Sequence, residues 1–433
     1  MPAYALSQRL ASRLLLACLF GGFLFGGLRS QLAGGAVLLA VWLVALLGPA
    51  RPGWELLRPW LMFLGWSGLA LLASASPLTG LYSWARWAGL AAFLVLASDI
   101  WDEYDRGLWF WGLGIFGAIA AAASWLVPVS GYPWVGILPP YYNYTAFVQA
   151  ALFCAALAAA LRRDGPHGPA RKAVWLLAGL ALVQIFVCKS RGGLLAAACG
   201  SGVFAWRHLD RRYRKWTLAV LALALAAALA LATLGKMEVA SAFKRPQIWR
   251  AALAIAGDNP IFGAGPGRFG SAFLAHNFSA GYGLINFGAR AEHAHSEFME
   301  VLAETGWPGL LLLLAALWSS LRAPRPEDSS WTREAALAAF CAMTAQCLVD
   351  NMLHMGTLGL LYFSALAVAR GPRIDMGESP HWKAWAWAGL VLALLAPLPG
   401  RLLEHWDGLR AGSADPAVRL EASEQAVRLA PSD

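Results

Sequence analysis

His293-Ala-His-Ser-Glu-Phe-Met-Glu-Val-Leu-Ala-Glu-Thr-Gly-Trp-Pro-Gly309 runs directly into Leu310-Leu-Leu-Leu-Leu-Ala-Ala-Leu-Trp318. The first part carries histidines and glutamates, and the second is apolar enough to continue a helix into lipid, so the spacing predicts a span over 298–320. A helix crosses the hydrocarbon core with about 20 predominantly apolar residues. Histidines set directly against a bilayer are hard to explain by packing alone, and they point to chemistry at the membrane surface.

The rest of the chain repeats the apolar half of that pattern. It is 433 residues long, 59% hydrophobic and only 14% charged, more apolar side chain than a soluble domain of this length buries. Apolar windows recur at 10–28, 31–49, 57–74, 80–98, 107–127, 143–161, 173–188, 191–206, 216–235, 298–320, 334–350, 354–370 and 384–399. None alternates as a barrel strand would, and lipid offers no partner to an unpaired backbone group. The expectation is an all-α polytopic protein of about 12–13 spans, 191–206 and 354–370 being the shortest windows.

Alternate short loops are basic: Arg9 and Arg13; Arg51 and Arg58; Arg162, Arg163, Arg171 and Lys172; Arg207 to Lys215; Arg322, Arg325 and Arg333; Arg370, Arg373 and Lys383. The intervening short loops hold only Arg29, Lys189 and Arg191. Lys/Arg-rich loops stay cytoplasmic, which puts the N-terminus inside and the long 236–297 loop and the 401–433 tail outside. The acidic loop with Asp99, Asp102, Glu103 and Asp105 dissents, but acidic residues weigh little in this rule. The net charge of +9 follows from this bias and is poor evidence for nucleic-acid binding. The first apolar run lacks a cleavage-type sequence and is read as an uncleaved helix. Cys18, Cys154, Cys188, Cys199, Cys341 and Cys347 show no metal-type spacing and read as packing residues.

Two domains are expected: a membrane domain over 1–400 that includes the 236–297 loop, and an outward tail over 401–433. Unstructured connections as long as 236–297 are uncommon unless functional; within it, 245–256 reads as a short helix stopped by Gly257-Asp258-Asn259-Pro260. The uncharged, aromatic and proline-rich 129–142 loop suits a headgroup belt. In the tail, 416–430 has helical spacing and resembles the second helix of a tetratricopeptide unit, which needs stacked neighbours.

Lys189, Arg191, Lys244, Arg245, Arg250, Arg268 and Arg290 make the outward segments basic against the positive-inside bias, with only Glu238, Asp258 and Glu292 beside them. Guanidinium groups bind phosphate oxygens in pairs and keep their charge when partly desolvated, so a diphosphate is a matching ligand. His295 precedes Ser296, a candidate cap, and a helix with Glu297 and Glu300 in its first turn. The basic surroundings favour the uncharged ring there, which can accept a proton from a hydroxyl. His293 is placed to bind substrate, and Asp350, beside Asn351 and His354, to fix a sugar hydroxyl, pair with an arginine or cap a turn. Gly265-Pro266-Gly267-Arg268-Phe269-Gly270 spells a dinucleotide fingerprint without the βαβ unit, and reads as a turn that lets backbone approach a ligand or the bilayer. Asn143-Tyr-Thr145 and Asn277-Phe-Ser279 match a glycosylation pattern that chance produces often.

Four motifs in order resemble one family: Ser190-Arg191-Gly192-Gly193; Arg245-Pro-Gln-Ile-Trp249; Pro260-Ile-Phe-Gly-Ala-Gly265; and His295-Ser296 followed after nine residues by Gly306 and, two residues on, Gly309. Across roughly 140–370 the chain is similar to the O-antigen ligase and O-antigen polymerase superfamily, whose members often have asparagine where this chain has Ser296. The resemblance implies a helical fold related to the C-type membrane glycosyltransferases, in the bacterial inner membrane with a periplasmic catalytic face. It implies inverting transfer of a glycan from undecaprenyl pyrophosphate to an acceptor hydroxyl, with no metal and no cofactor. The absence of an Asp-x-Asp motif fits this. Arg191 and Arg245 would hold the pyrophosphate, His295 would take the acceptor's proton, and Lys189, Lys244, Arg250, Arg268, Arg290, His293 and Asp350 would bind substrate. Lipid A core is the favoured acceptor, ahead of a growing glycan (a polymerase) or a protein (an O-oligosaccharyltransferase). A transporter of the same lipid-linked glycan, or a scaffold with a recruiting tail, leaves His295 and the basic loop unexplained.

Overall fold

The computed structural model describes residues 2–24, 31–130, 142–216, 239–278, 291–321, 330–371, 381–412 and 416–429, with isolated positions at 219, 222 and 226. Helices without strands make up its regular structure among the described residues. Seven helices there are long and apolar enough to cross a membrane: Trp54–Ala73, Pro77–Ile100, Glu103–Ser124, Asn143–Leu161, Gly168–Val187, Glu297–Leu321 and Trp382–Leu403. The chain is an all-α polytopic membrane protein.

Gln31–Leu47 and Gly356–Arg370 are shorter apolar helices, Pro2–Leu24 packs into the bundle as well, and Arg191–His208 and Trp331–Cys347 belong to it without being long and apolar enough to cross by themselves. The last two differ from the expected count for a physical reason. They pack against each other and against Tyr142–Leu161, so much of their surface meets alanine and glycine of neighbouring helices. Small residues let helix backbones approach closely in a bundle. Ala146, Ala150, Ala151, Ala155, Ala156, Ala158 and Ala159 of the Tyr142–Leu161 helix are all completely buried. The expected span at 216–235 and the aromatic belt at 129–142 lie almost wholly outside the described residues.

The long polar connection is more ordered than its composition suggests. The expected short helix at 245–256 extends back to Val239 and ends at Asp258, with Pro246 inside it. It packs on Glu297–Leu321 around Ile248, Ala252, Ile255, Phe269 and Phe273, a small apolar core separate from that of the bundle. In the tail, the expected helix is Pro416–Leu429, and it packs against Leu398–Gly412 rather than standing alone.

Four helices set the orientation of everything that follows. At one end of the bundle, Arg207 Nη2 meets Glu334 Oε1 at 2.8 Å, Arg333 Nε donates to the Ala369 carbonyl at 2.9 Å, and Arg370 Nη1 donates to the Ser320 carbonyl at 3.2 Å. These contacts tie together the ends of Arg191–His208, Glu297–Leu321, Trp331–Cys347 and Gly356–Arg370. The opposite ends of the same four helices begin or finish at Arg191, Glu297, Cys347 and Gly356, and therefore converge as well.

Candidate functional site

Both described non-glycine residues with left-handed backbone stand at this second end. Lys189 (φ 49°) precedes Ser190, and His295 (φ 50°) precedes Ser296. Ser190 Oγ accepts from the Gly193 amide at 3.1 Å and donates to Asn143 Oδ1 at 3.0 Å, which caps the helix that opens with Arg191. Ser296 Oγ accepts from the Met299 amide at 3.4 Å in the same role. A left-handed L-residue costs on the order of 1–3 kcal/mol and persists only where its surroundings enforce it, so the two turns are held deliberately.

Asp350 joins the pieces. Its Oδ2 lies 3.3 Å from Arg245 Nη2 and its Oδ1 lies 3.3 Å from His295 Nδ1, while Arg245 Nη1 donates to the Val349 carbonyl at 2.8 Å. The carboxylate is 8% exposed, the guanidinium 33% and the imidazole 44%, so the ring opens outward from a buried acidic floor. With Nδ1 turned to the carboxylate, Nε2 is the nitrogen left to meet a ligand. Arg191 belongs to the same neighbourhood: a Cβ on Gly192 would stand 3.3 Å from Gln346 Cγ and 3.4 Å from Val349 Cγ2. Its Nε is buried without a hydrogen-bond partner among the described residues. A buried donor left open in this way has unspent bonding capacity for an anion.

A second polar layer lies behind the first. His293 Nδ1 is 3.0 Å from Glu300 Oε1, and its ring stacks on His354 with centroids 4.3 Å apart. His354 Nε2 is 3.1 Å from the Tyr144 hydroxyl, and Arg86 Nη1 donates to the His354 carbonyl at 3.0 Å. Burial disfavours the charged form of His293, yet the Glu300 carboxylate outweighs it and leaves the imidazole's pKa above its ordinary value.

The 260–265 stretch joins a break in a neighbouring helix. Gly306 (φ 69°, ψ −177°) breaks the Glu297–Leu321 helix, so Trp307 donates its amide to the Pro260 carbonyl at 3.0 Å. Pro308 has no amide proton to give to Glu304. The two carbonyls freed by this break accept from the 260–265 loop: Ala264 N to Ala303 O at 2.9 Å, and Gly265 N to Glu304 O at 2.8 Å. The loop replaces the missing helical bonds. Only glycine fits, because a Cβ at Gly263 would stand 2.6 Å from the Ala303 carbonyl oxygen and one at Gly306 would stand 2.3 Å from that of Ile261. The Pro-x-x-Gly-x-Gly motif and the glycine that closes the histidine motif thus form one joint.

The structure gathers Arg245, His295 and Asp350, with His293 two residues away, and Arg191 opens a helix whose Gly192 packs on Gln346 and Val349 nearby. Lys189 is exposed at the same helix start, and Arg250 is exposed on the Val239–Asp258 helix. Arg268 is not a surface cation: it is 5% exposed and its Nη1 donates to Thr79 Oγ1 at 3.2 Å, serving the turn rather than open solvent. Asp350 spends its carboxylate on Arg245, His295 and the Asn351 amide, which fits the arginine-pairing reading and not the sugar-hydroxyl one. The Lys244 side chain and Arg290 lie outside the described residues. Sequence reasoning passed over Arg86 and Tyr144, saw Glu300 only as a first-turn acid, and missed the structural use of Asn143. Arg86 had a signal, as the lone charge within the apolar window 80–98; Tyr144 and Asn143 had none.

These features define a multi-pass helical membrane protein with an arginine, carboxylate and imidazole cluster at one end of its bundle. Residues 175–314, about a third of the chain, match the family model described as O-antigen ligase. The matched segment holds Arg191, Arg245, His295, Gly306 and Gly309, whereas Arg86 and Asp350 lie outside it. No curated protein matches the chain.

Proposed function

We propose that the chain is an O-antigen ligase-like glycosyltransferase that moves a glycan from undecaprenyl pyrophosphate to an acceptor hydroxyl on lipid A core, at the periplasmic face of a bacterial inner membrane. The observation that carries this reading is Asp350 bridging Arg245 and His295, with the buried, unbonded Arg191 Nε at the start of a neighbouring helix. His295 Nε2 accepts the proton of the attacking hydroxyl as its oxygen forms the new glycosidic bond, and Asp350 steadies the imidazolium that results. The bond from the donor's anomeric carbon to the pyrophosphate oxygen breaks on the opposite side, so the configuration inverts. Arg191 and Arg245 offset the negative charge that grows on the departing pyrophosphate. That leaving group departs without a proton, so no general acid is needed.

Periplasmic placement rests on charge. The Arg207, Arg333 and Arg370 end of the four-helix set is the basic end, which stays cytoplasmic, and the His295 end is the other one. Glycan transfer by the purified chain in proteoliposomes tests the proposal, with an undecaprenyl-pyrophosphate-linked oligosaccharide as donor. Lipid A core, an unlinked glycan and a protein are offered separately as acceptors. The expected result is an inverted linkage on lipid A core. Product on either other acceptor reassigns the acceptor, and movement of the donor across the bilayer without any transfer sinks the enzyme reading. Labelling of a Gly281→Cys variant from the cytoplasmic side alone overturns the orientation.

A further inference from the structure

We propose that Glu300 and Asn351 form a clamp that positions His295, acting through the backbone on either side of it and touching no substrate. The proposal rests on the reading of His295 as the base. Glu300 Oε2 accepts from the Ala294 amide at 2.8 Å and from Asn351 Nδ2 at 2.8 Å. Asn351 Oδ1 in turn accepts from the Ser296 amide at 2.8 Å. The amides immediately before and after His295 are thus both bonded to one pair of side chains, and that pair is buried, Glu300 8% and Asn351 3% exposed.

The clamp also sets the distance to the partner carboxylate. The Asn351 amide donates to Asp350 Oδ1 at 3.1 Å, the same oxygen that faces His295 Nδ1. From the far side, the Trp249 indole N–H donates to the His295 carbonyl at 3.4 Å, one helical turn beyond Arg245 on the same helix face. Residues 294, 295 and 296 therefore each have a backbone group held by a side chain from a different part of the fold. This is what a residue with φ 50° needs in order to keep its ring at a fixed place. His293 closes the arrangement by occupying the remaining Glu300 oxygen.

Glu300→Ala removes the Ala294 restraint and the anchor that holds Asn351, Asn351→Ala removes the Ser296 restraint without a change of charge, and Glu300→Gln keeps an oxygen for the Ala294 amide and Asn351. In the proteoliposome transfer assay, the two alanine variants are expected to lower kcat about tenfold or more with KM for the donor nearly unchanged, and Glu300→Gln to recover most of that loss. In the full chain in lipid nanodiscs, amide hydrogen exchange over 293–297 should speed up about tenfold or more in both alanine variants but not in Glu300→Gln. Unchanged exchange over 293–297, a loss confined to KM, or Glu300→Gln as impaired as Glu300→Ala each overturns the clamp. If the wild-type chain transfers nothing, the functional reading fails while the exchange result still decides the clamp. If His295→Ala is inactive and both alanine variants retain wild-type kcat, the clamp alone fails.

Discussion

The two ends of the Arg191–His208 and Trp331–Cys347 pair present the same residue types in opposite conditions. At one end Glu334, with a side chain only 1% exposed, meets Arg207 through two nitrogens at 2.8 and 3.1 Å and His208 at 2.9 Å, so its charge is fully answered within the protein. At the other, Asp350 meets Arg245 and His295 at 3.3 Å each, both partly open to solvent, and Arg191 keeps a buried donor unmatched. An arginine, an acid and a histidine make a structural tie when every bond is satisfied. They make a reactive surface when some bonding capacity is left over.

Perturbing each end separately sharpens that contrast. The largest effect is expected for His295→Ala, which should lower glycan transfer in proteoliposomes by about 10²–10⁴-fold with membrane insertion intact; a near wild-type rate removes this residue as the base. Next, Arg191→Ala should lower transfer by about 10²–10³-fold, a loss measured on kcat because the charge it offsets grows only in the transition state. Arg207→Ala should do the reverse. It should destabilise the detergent-solubilised protein by about 1–3 kcal/mol in a thermal or denaturant assay and leave transfer per folded molecule unaltered, since the site is at the far ends of the helices. Loss of turnover without loss of stability would show that the two ends are coupled.

The smallest effect concerns pH. Because the His293 pKa is raised, chiefly against burial by Glu300, the stability it contributes is fully present below its ordinary value of 6.5 and declines as pH rises through the elevated one. The difference in melting temperature between wild type and His293→Ala should therefore be greatest at acidic pH and shrink towards alkaline pH. A difference that grows with pH would contradict the Glu300 pairing.

The helices of the bundle were legible because lipid imposes a simple rule of length and apolarity. Trp54–Ala73, Glu103–Ser124 and Gly168–Val187 each lie within a few residues of the windows read from sequence. The pair that meets at Asp350 was legible as charges placed where packing needs none: His295 and Arg245. Arg268, expected to bind substrate, is buried with Nη1 on Thr79 Oγ1, a contact 189 residues away in sequence that no local pattern encodes. Asp350 was visible, but its role was not, since 55 residues separate it from His295 and no local pattern encodes that contact.

Composition and period by themselves determined that this chain is a helical bundle in a membrane with cations and imidazoles at a surface, because burial in lipid and charge bias act residue by residue. Only tertiary structure decided which polar groups face one another. The break at Gly306 is mended by a loop from about 40 residues upstream. Asn351 and Glu300 restrain His295 from two separate segments. Hydrogen bonds are directional and short, so such pairings depend on where whole helices end in space rather than on any stretch of sequence.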